Sequence, residues 1–453
     1  MATSPGELPD CPLDALEEAS RPVEITLWYG GLGGSAKATI ERQVAAFDAS
    51  RDDVVVTADD QGGSYEQVYR KYTSAAAADR DQLPDVIYLE DTQLQAMADS
   101  GQVLPAQACM EASGYDLSLL EPAVVAKYSV DGVLLPGYAN VSTPVLYYNK
   151  AHFARAGLDP DDPPGTLEEL GDAARALQAA GVSDKPLSFR TSRWYLESWL
   201  TGSGVPIVDN DDGRSGLATR ATFATPEAEA LLSQLARLRE EGLLNVFAAT
   251  EGSIDQYLAL VTQESSMLVE TSTASTTIRD ALGGSITAEE AGVDVGTSAI
   301  DLDALVPGSG AYPGVERAGQ VFPSGAGFYM LNTSSPAQQA ASWRFLEFML
   351  DPANAKAWTL DGGYLPAVRA VRDDPEVRDF WTSDLAGLLL RPAADQLAEA
   401  DPGNPGPLIG PYSEEAEALQ GAMEAVLLEG RRPGPALEEA QDAVTEALRR
   451  YAG

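Results

Sequence analysis

From Val23 onward, short β-branched and apolar runs alternate with amphipathic segments, and this alternation limits the possible folds more than any other feature. VEITLWY (Val23–Tyr29), DVVVTA (Asp53–Ala58) and DVIYL (Asp85–Leu89) have the composition of buried strands. Ser35–Asp48, Tyr65–Ala78 and Thr92–Ser100, which follow them in turn, carry apolar residues at helical spacing. This order predicts a parallel sheet covered by helices. At 453 residues the chain is too long for one ordinary core, so two α/β units are expected.

Further along, the run NVSTPVLYYNK (Asn140–Lys150) predicts a buried strand over Val145–Tyr148. A helix over Ala151–Ala156 should stop at Gly157, and Thr166 with Glu169 forms a capping-box pattern that opens a helix to Ala180. More helices are expected at Trp194–Thr201, Thr225–Glu241, Ser253–Thr262 and near Ala274–Leu282, with a short strand at Ser266–Glu270. A poorly periodic region, Gly283–Gly319, precedes a strand at Gly325–Leu331. Helices at Pro336–Leu350 and Pro352–Leu360, a variable section and a helix at Pro435–Tyr451 complete the chain, while residues 1–21 form an extension or tether.

The net charge of −39 disfavours phosphate backbones and anionic membranes, so no nucleic-acid partner is expected. The uncharged run Gly132–Asn149 contains prolines, glycines and asparagines, which suit a strand pair better than a membrane span. With His152 the sole histidine, and expected on an exposed helix turn, neither a His/Cys metal site nor a Ser-His-Asp triad is indicated. Cys11 and Cys109 are either buried thiols or one disulfide. Because Cys11 lies in a polar extension with little else to anchor it, and Cys109 in a loop between predicted helices, the bridge is the expectation, and with it an oxidising compartment.

Gly31-Leu32-Gly33-Gly34-Ser35-Ala36 fits the dinucleotide pattern GxGxxG/A between a strand and a helix, with Asp59 and Asp60 after the next strand. It is the strongest enzymatic signal present and would imply an NAD(P)-dependent oxidoreductase. Such turns are common in doubly wound sheets, so the motif by itself is weak.

The segment NVSTPVLYYNK and the residues after it resemble the hallmark segment of extracellular solute-binding proteins of ABC importers, family 1, most closely the glycerol-3-phosphate-binding branch. The resemblance implies an α/β, two-lobed periplasmic-binding-protein-like fold (type II, maltose-binding-protein-like) with the ligand in a cleft between lobes. It implies lobe one over residues 22–141 plus 272–321 and lobe two over 144–270 plus 324–453, with crossings near Val141–Pro144, Thr271–Thr273 and Phe322–Ser324. It also implies ligand contacts from Tyr65, Glu90, Ser142, Trp194, Thr271, Gly325 and Tyr364. Two departures stand out. Thr191 replaces the first tryptophan of an aromatic platform, which should open space, and no arginine occurs from Pro392 to Gly430, where relatives hold a ligand phosphate. Arg190 and Arg193, flanking Trp194, are candidate substitutes for it.

The function implied is capture of a small polyhydroxylated solute, carbohydrate favoured, without catalysis or cofactor. A glycerophosphodiester or glycerol 3-phosphate is the alternative ligand. The expected partner is a membrane permease, and the binding protein itself is expected to be a monomer. Met1–Asp10 has no hydrophobic core. The chain is therefore cytoplasmic or has lost its export segment; the resemblance favours the latter, with lipid anchoring outside the cell.

Overall fold

The computed structural model describes residues 8–249, 255–283 and 305–453. Among them the strands are β1 (Val23–Tyr29), β2 (Val54–Asp60), β3 (Val86–Glu90), β4 (Val103–Leu104), β5 (Ser129–Val130), β6 (Val133–Leu134), β7 (Tyr138–Ser142), β8 (Pro144–Asn149), β9 (Leu187–Arg190), β10 (Leu244–Phe247), β11 (Met267–Thr271), β12 (Pro307–Ala311) and β13 (Ser324–Leu331). The chain divides into unit one, Met1–Val141 with Pro323–Arg378, and unit two, Ser142–Phe322 with Asp379–Gly453.

Unit one is built on a sheet in the order β2-β1-β3-β13-β4, with β7 also paired to β13. As the alternation predicts, β1 runs parallel to both β2 and β3. The late strand β13 then adds antiparallel to β3, placing Ala326 opposite Glu90. The helices Gly34–Ser50 and Pro336–Leu350 cover this sheet; Phe47 and Phe345 meet edge-on with centroids 5.2 Å apart. Cys109 lies in the helix Ala106–Ser113 rather than a loop, and its bridge to Cys11 spans 5.0 Å between Cα atoms. That bond ties the N-terminal segment to unit one.

Unit two carries a sheet in the order β10-β9-β11-β8-β12. Strands β9, β10 and β11 are parallel neighbours, whereas β8 is antiparallel to both β11 and β12. The helix Lys150–Ala156 ends at Gly157, and the capping box of Thr166 and Glu169 forms in full. Phe189, Trp199 and Tyr312 stack in the core, and the helices Tyr412–Leu427 and Pro433–Ala452 bury Leu419, Met423 and Leu448 against it.

Several expectations are corrected. Strand β12 pairs with β8 and β13 pairs with β3, so residues 305–322 belong to unit two and 323–378 to unit one, the reverse of the anticipated division. The chain passes between units after Val141, Phe322 and Arg378, not near Thr271–Thr273. Residues 250–254 and 284–304, where the expected Ser253–Thr262 helix begins and most of the Gly283–Gly319 region falls, lie outside the described residues. His152 is buried, with Nδ1 2.8 Å from Ser266 Oγ and Nε2 3.3 Å from Gln263 Oε1, and burial holds its pKa low. Its ring is turned toward the segment Gln263–Ser266 that leads into β11, which removes it from solvent. No helix among the described residues is long and apolar enough to cross a membrane.

Candidate functional site

In unit one, four of the anticipated contact residues converge on the carboxyl end of the parallel strands. Tyr65 is the first residue of the helix Tyr65–Ala78, whose cap Ser64 accepts from the Gln67 N–H at 3.2 Å. Its ring lies 5.7 Å from that of Tyr88 and against Gly31, where even a β-carbon would sit 3.0 Å from the Tyr65 ring. Tyr88 accepts a hydrogen bond from Asn140 Nδ2 at 3.1 Å, and Tyr364 hydrogen-bonds with both Tyr65 and Tyr88. Burial pushes all three phenols up, so they remain neutral hydroxyls.

Glu90 closes β3 and raises the Tyr65 phenol through its charge, and its Oε2 accepts from Thr92 Oγ1 at 3.0 Å. The next residue, Asp91, is buried in an ion pair with Lys127 at 2.8 Å and accepts from Ser324 Oγ at 3.0 Å. The start of β13 is thereby pinned beside Glu90. A side chain at Gly325 would place Cβ 1.9 Å from the Asn140 carbonyl oxygen, so two backbones meet where only glycine fits.

In unit two, Thr271 lies opposite Pro144, which brings Ser142 and Thr271 to one end of the β8–β11 pair. The Thr143 N–H donates to Ser272 Oγ at 3.3 Å and Thr143 O accepts from the Ser272 N–H at 2.9 Å. Parallel pairing of β9 with β11 carries Arg190 and Thr191 to the same end, and Trp194 follows in the first turn of the helix Arg193–Gly202. Trp194 is half-buried, its ring centroid is 6.1 Å from that of Tyr195, and its Nε1 has no hydrogen-bond partner among the described residues.

Directly before Thr271, the Glu270 carboxylate is fully buried. It accepts from Arg190 Nη2 at 3.1 Å, Gln256 Nε2 at 3.0 Å, the Thr271 N–H at 2.8 Å and the Tyr195 hydroxyl. The Glu270 charge holds the Arg190 pKa well above its ordinary range. Arg193 donates to buried Glu197 at 2.9 Å and stacks 4.7 Å from the Tyr412 ring centroid.

Unit one thus gathers Tyr65, Glu90, Gly325 and Tyr364, and unit two gathers Ser142, Trp194 and Thr271. Tyr88 and Asn140, absent from the anticipated set, join the first group. Tyr88 had a legible signal, because it lies two residues before Glu90 and so on the same face of a strand. The carboxylate of Glu270, at the end of an apolar run, was a second such signal. Thr191 is fully buried, its Oγ1 accepting from the Ala249 N–H at 3.1 Å and donating to Glu424 Oε1 at 3.2 Å. Against the dinucleotide reading, the Gly31 turn packs on Tyr65, and Asp60 is held by Lys37.

Two α/β units with these sheet orders define a periplasmic-binding-protein-like fold of the maltose-binding type, and solved structures share it. UgpB of Mycobacterium tuberculosis, solved in complex with glycerophosphocholine, is similar with a TM-score of 0.74 at 20% identity, covering 96% of this chain and 100% of that one. The sugar-binding protein MalE of Xanthomonas citri gives a TM-score of 0.73 at 19% identity, covering 95% and 98%. Residues 42–384 match the family model described as bacterial extracellular solute-binding protein. The chain belongs to that family, whose members serve ABC importers. It is 24% identical to the sn-glycerol-3-phosphate-binding periplasmic protein UgpB of Shigella dysenteriae serotype 1, over 97% of this chain and 95% of the relative.

Proposed function

We propose that this extracellular solute-binding protein captures an uncharged polyhydroxylated solute, a carbohydrate in preference to other polyols, and delivers it to a membrane permease without chemical change. The observation that carries this reading is the set of neutral phenols, Tyr65, Tyr88 and Tyr364, grouped with the Glu90 carboxylate. Phenols donate to and accept from sugar hydroxyls, a carboxylate accepts from two at once, and aromatic faces suit the C–H faces of a pyranose. Ser142, Thr271 and Trp194 supply further hydroxyl and indole groups of the same kind. In this reading the protein acts as a monomer, held to the outer face of the cell membrane by a lipid anchor.

A second reading, a glycerophosphodiester or glycerol 3-phosphate as solute, is favoured by the similarity to UgpB along nearly the whole chain. Calorimetry of the purified protein against mono- and oligosaccharides, glycerophosphodiesters and glycerol 3-phosphate separates the two. Binding confined to sugars is expected. Binding confined to the phosphate esters overturns the carbohydrate assignment, and silence across the whole panel overturns both readings.

A further inference from the structure

The two arginines that flank Trp194 are both already matched by carboxylates of unit two. Arg190 is held by Glu270, whose side chain is fully buried, and Arg193 by Glu197, equally buried. An arginine recognises phosphate by presenting its planar fork to two oxygens. Here part of each fork is closed on a side-chain carboxylate, and a phosphate dianion brought to Arg190 would meet the Glu270 charge as well. Removing Glu270 from that position is the step needed to expose an uncompensated cation.

We propose that Glu270 is a specificity-determining residue: by neutralising Arg190 at the end of β11, it makes unit two reject phosphate monoesters and accept uncharged solutes. Rejection by a built-in like charge discriminates as effectively as a missing contact. The buried Nε of Arg190 has no hydrogen-bond partner among the described residues. Glu270 also fixes Thr271 through the backbone N–H, so the same carboxylate sets both charge and hydroxyl position. The inference rests on the reading above that Thr271 and Trp194 contact the solute.

The test is calorimetric titration of the wild type, Glu270→Gln, Arg190→Met and the double variant with glycerol 3-phosphate and with the best-binding neutral sugar. The wild type should bind the sugar and give no heat with glycerol 3-phosphate up to about 1 mM. Glu270→Gln should gain affinity for glycerol 3-phosphate by at least roughly tenfold, and adding Arg190→Met should abolish that gain. A folded Glu270→Gln protein that still ignores glycerol 3-phosphate overturns the proposal. If that variant does not fold, Arg190→Met decides: wild-type binding of glycerol 3-phosphate that this substitution abolishes would also overturn it, whereas no phosphate binding in either protein supports it. Failure of the underlying reading looks different, since no sugar would then bind to any of the four proteins.

Discussion

Asp91 and Lys127 form an ion pair 2.8 Å long in which neither side chain retains more than 2% exposure, and it lies one residue beyond Glu90. A buried pair is costly to half-remove, because the surviving charge keeps its desolvation penalty without its partner. Lys127→Met should destabilise unit one by about 3–5 kcal/mol, whereas Asp91→Leu combined with Lys127→Met should recover most of that loss. Urea unfolding of the three proteins measures this directly; equal destabilisation of single and double variants would show that the pair does not act as a unit.

Glu90→Gln and Tyr88→Phe alter the unit-one cluster with little change of shape. If the carboxylate accepts solute hydroxyls, Glu90→Gln should weaken sugar binding by about 1.5–3 kcal/mol. Tyr88→Phe removes the phenol that joins Asn140 to Tyr65 and Tyr364, and should cost about 0.5–1.5 kcal/mol. Trp194→Ala should weaken binding through lost ring contact. Unchanged calorimetric affinity in all three would place the solute elsewhere.

Asp212 gives the stability a pH dependence with a definite sign. Burial pushes its carboxyl up from the ordinary 3.8 to about 6, although its Oδ1 accepts from the N–H groups of Ile207 and Val208. The folded protein therefore holds this proton more tightly than the unfolded chain does. The contribution is complete below pH 3.8 and is lost as pH rises through about 6. Glu415, fully buried, is raised in the same direction by desolvation and by the charge of Glu197, opposed by Arg193. Asp212→Asn keeps the acceptor and tolerates the local backbone, where φ is +54°. It should flatten the stability profile between about pH 4 and 6 and add roughly 1–3 kcal/mol at pH 7.5. Thermal melts across pH that keep the wild-type slope would refute this.

Opening the Cys11–Cys109 bridge should cost up to about 4–5 kcal/mol by the chain-entropy model for a loop of this size. The change should lower the melting temperature and expose Leu16, which the bridge helps to keep buried. Comparing the oxidised protein with Cys11→Ser/Cys109→Ser by calorimetric scanning checks it. Identical melting curves would leave the bridge without a stabilising role.

The elements with a strong local pattern were legible from residues alone: Tyr65–Ala78, Ala274–Leu282, Pro336–Leu350 and Pro352–Leu360 stand where periodicity and caps put them. Strands β9, β10 and β12 were not, because runs of four or five residues are too short to carry a periodic signal and owe their conformation to neighbours. The site was legible in part. A family resemblance named Tyr65, Glu90, Gly325 and Tyr364, but only the fold brings Asn140 and Tyr88 between them. The Arg190–Glu270 pairing joins residues far apart in sequence, and no local pattern encodes it. The assignment of β12 and β13 to units failed for the same reason, since strand exchange between sheets is a tertiary event.

Strand β13 has a bearing on how the chain folds. It pairs with β3, from which it is separated by more than two hundred residues, and it also pairs with β4 and β7. An emerging N-terminal half can therefore form its parallel strands but has no partner for the open edge of β3. Closing so long a loop is entropically slow, and the unfinished edge stays open until the segment around Phe328 arrives. Unit two is likewise incomplete without its two C-terminal helices, so neither unit can finish as an early, self-contained domain. Late closure of this kind leaves much of the chain unpaired until its C-terminal segments have been made.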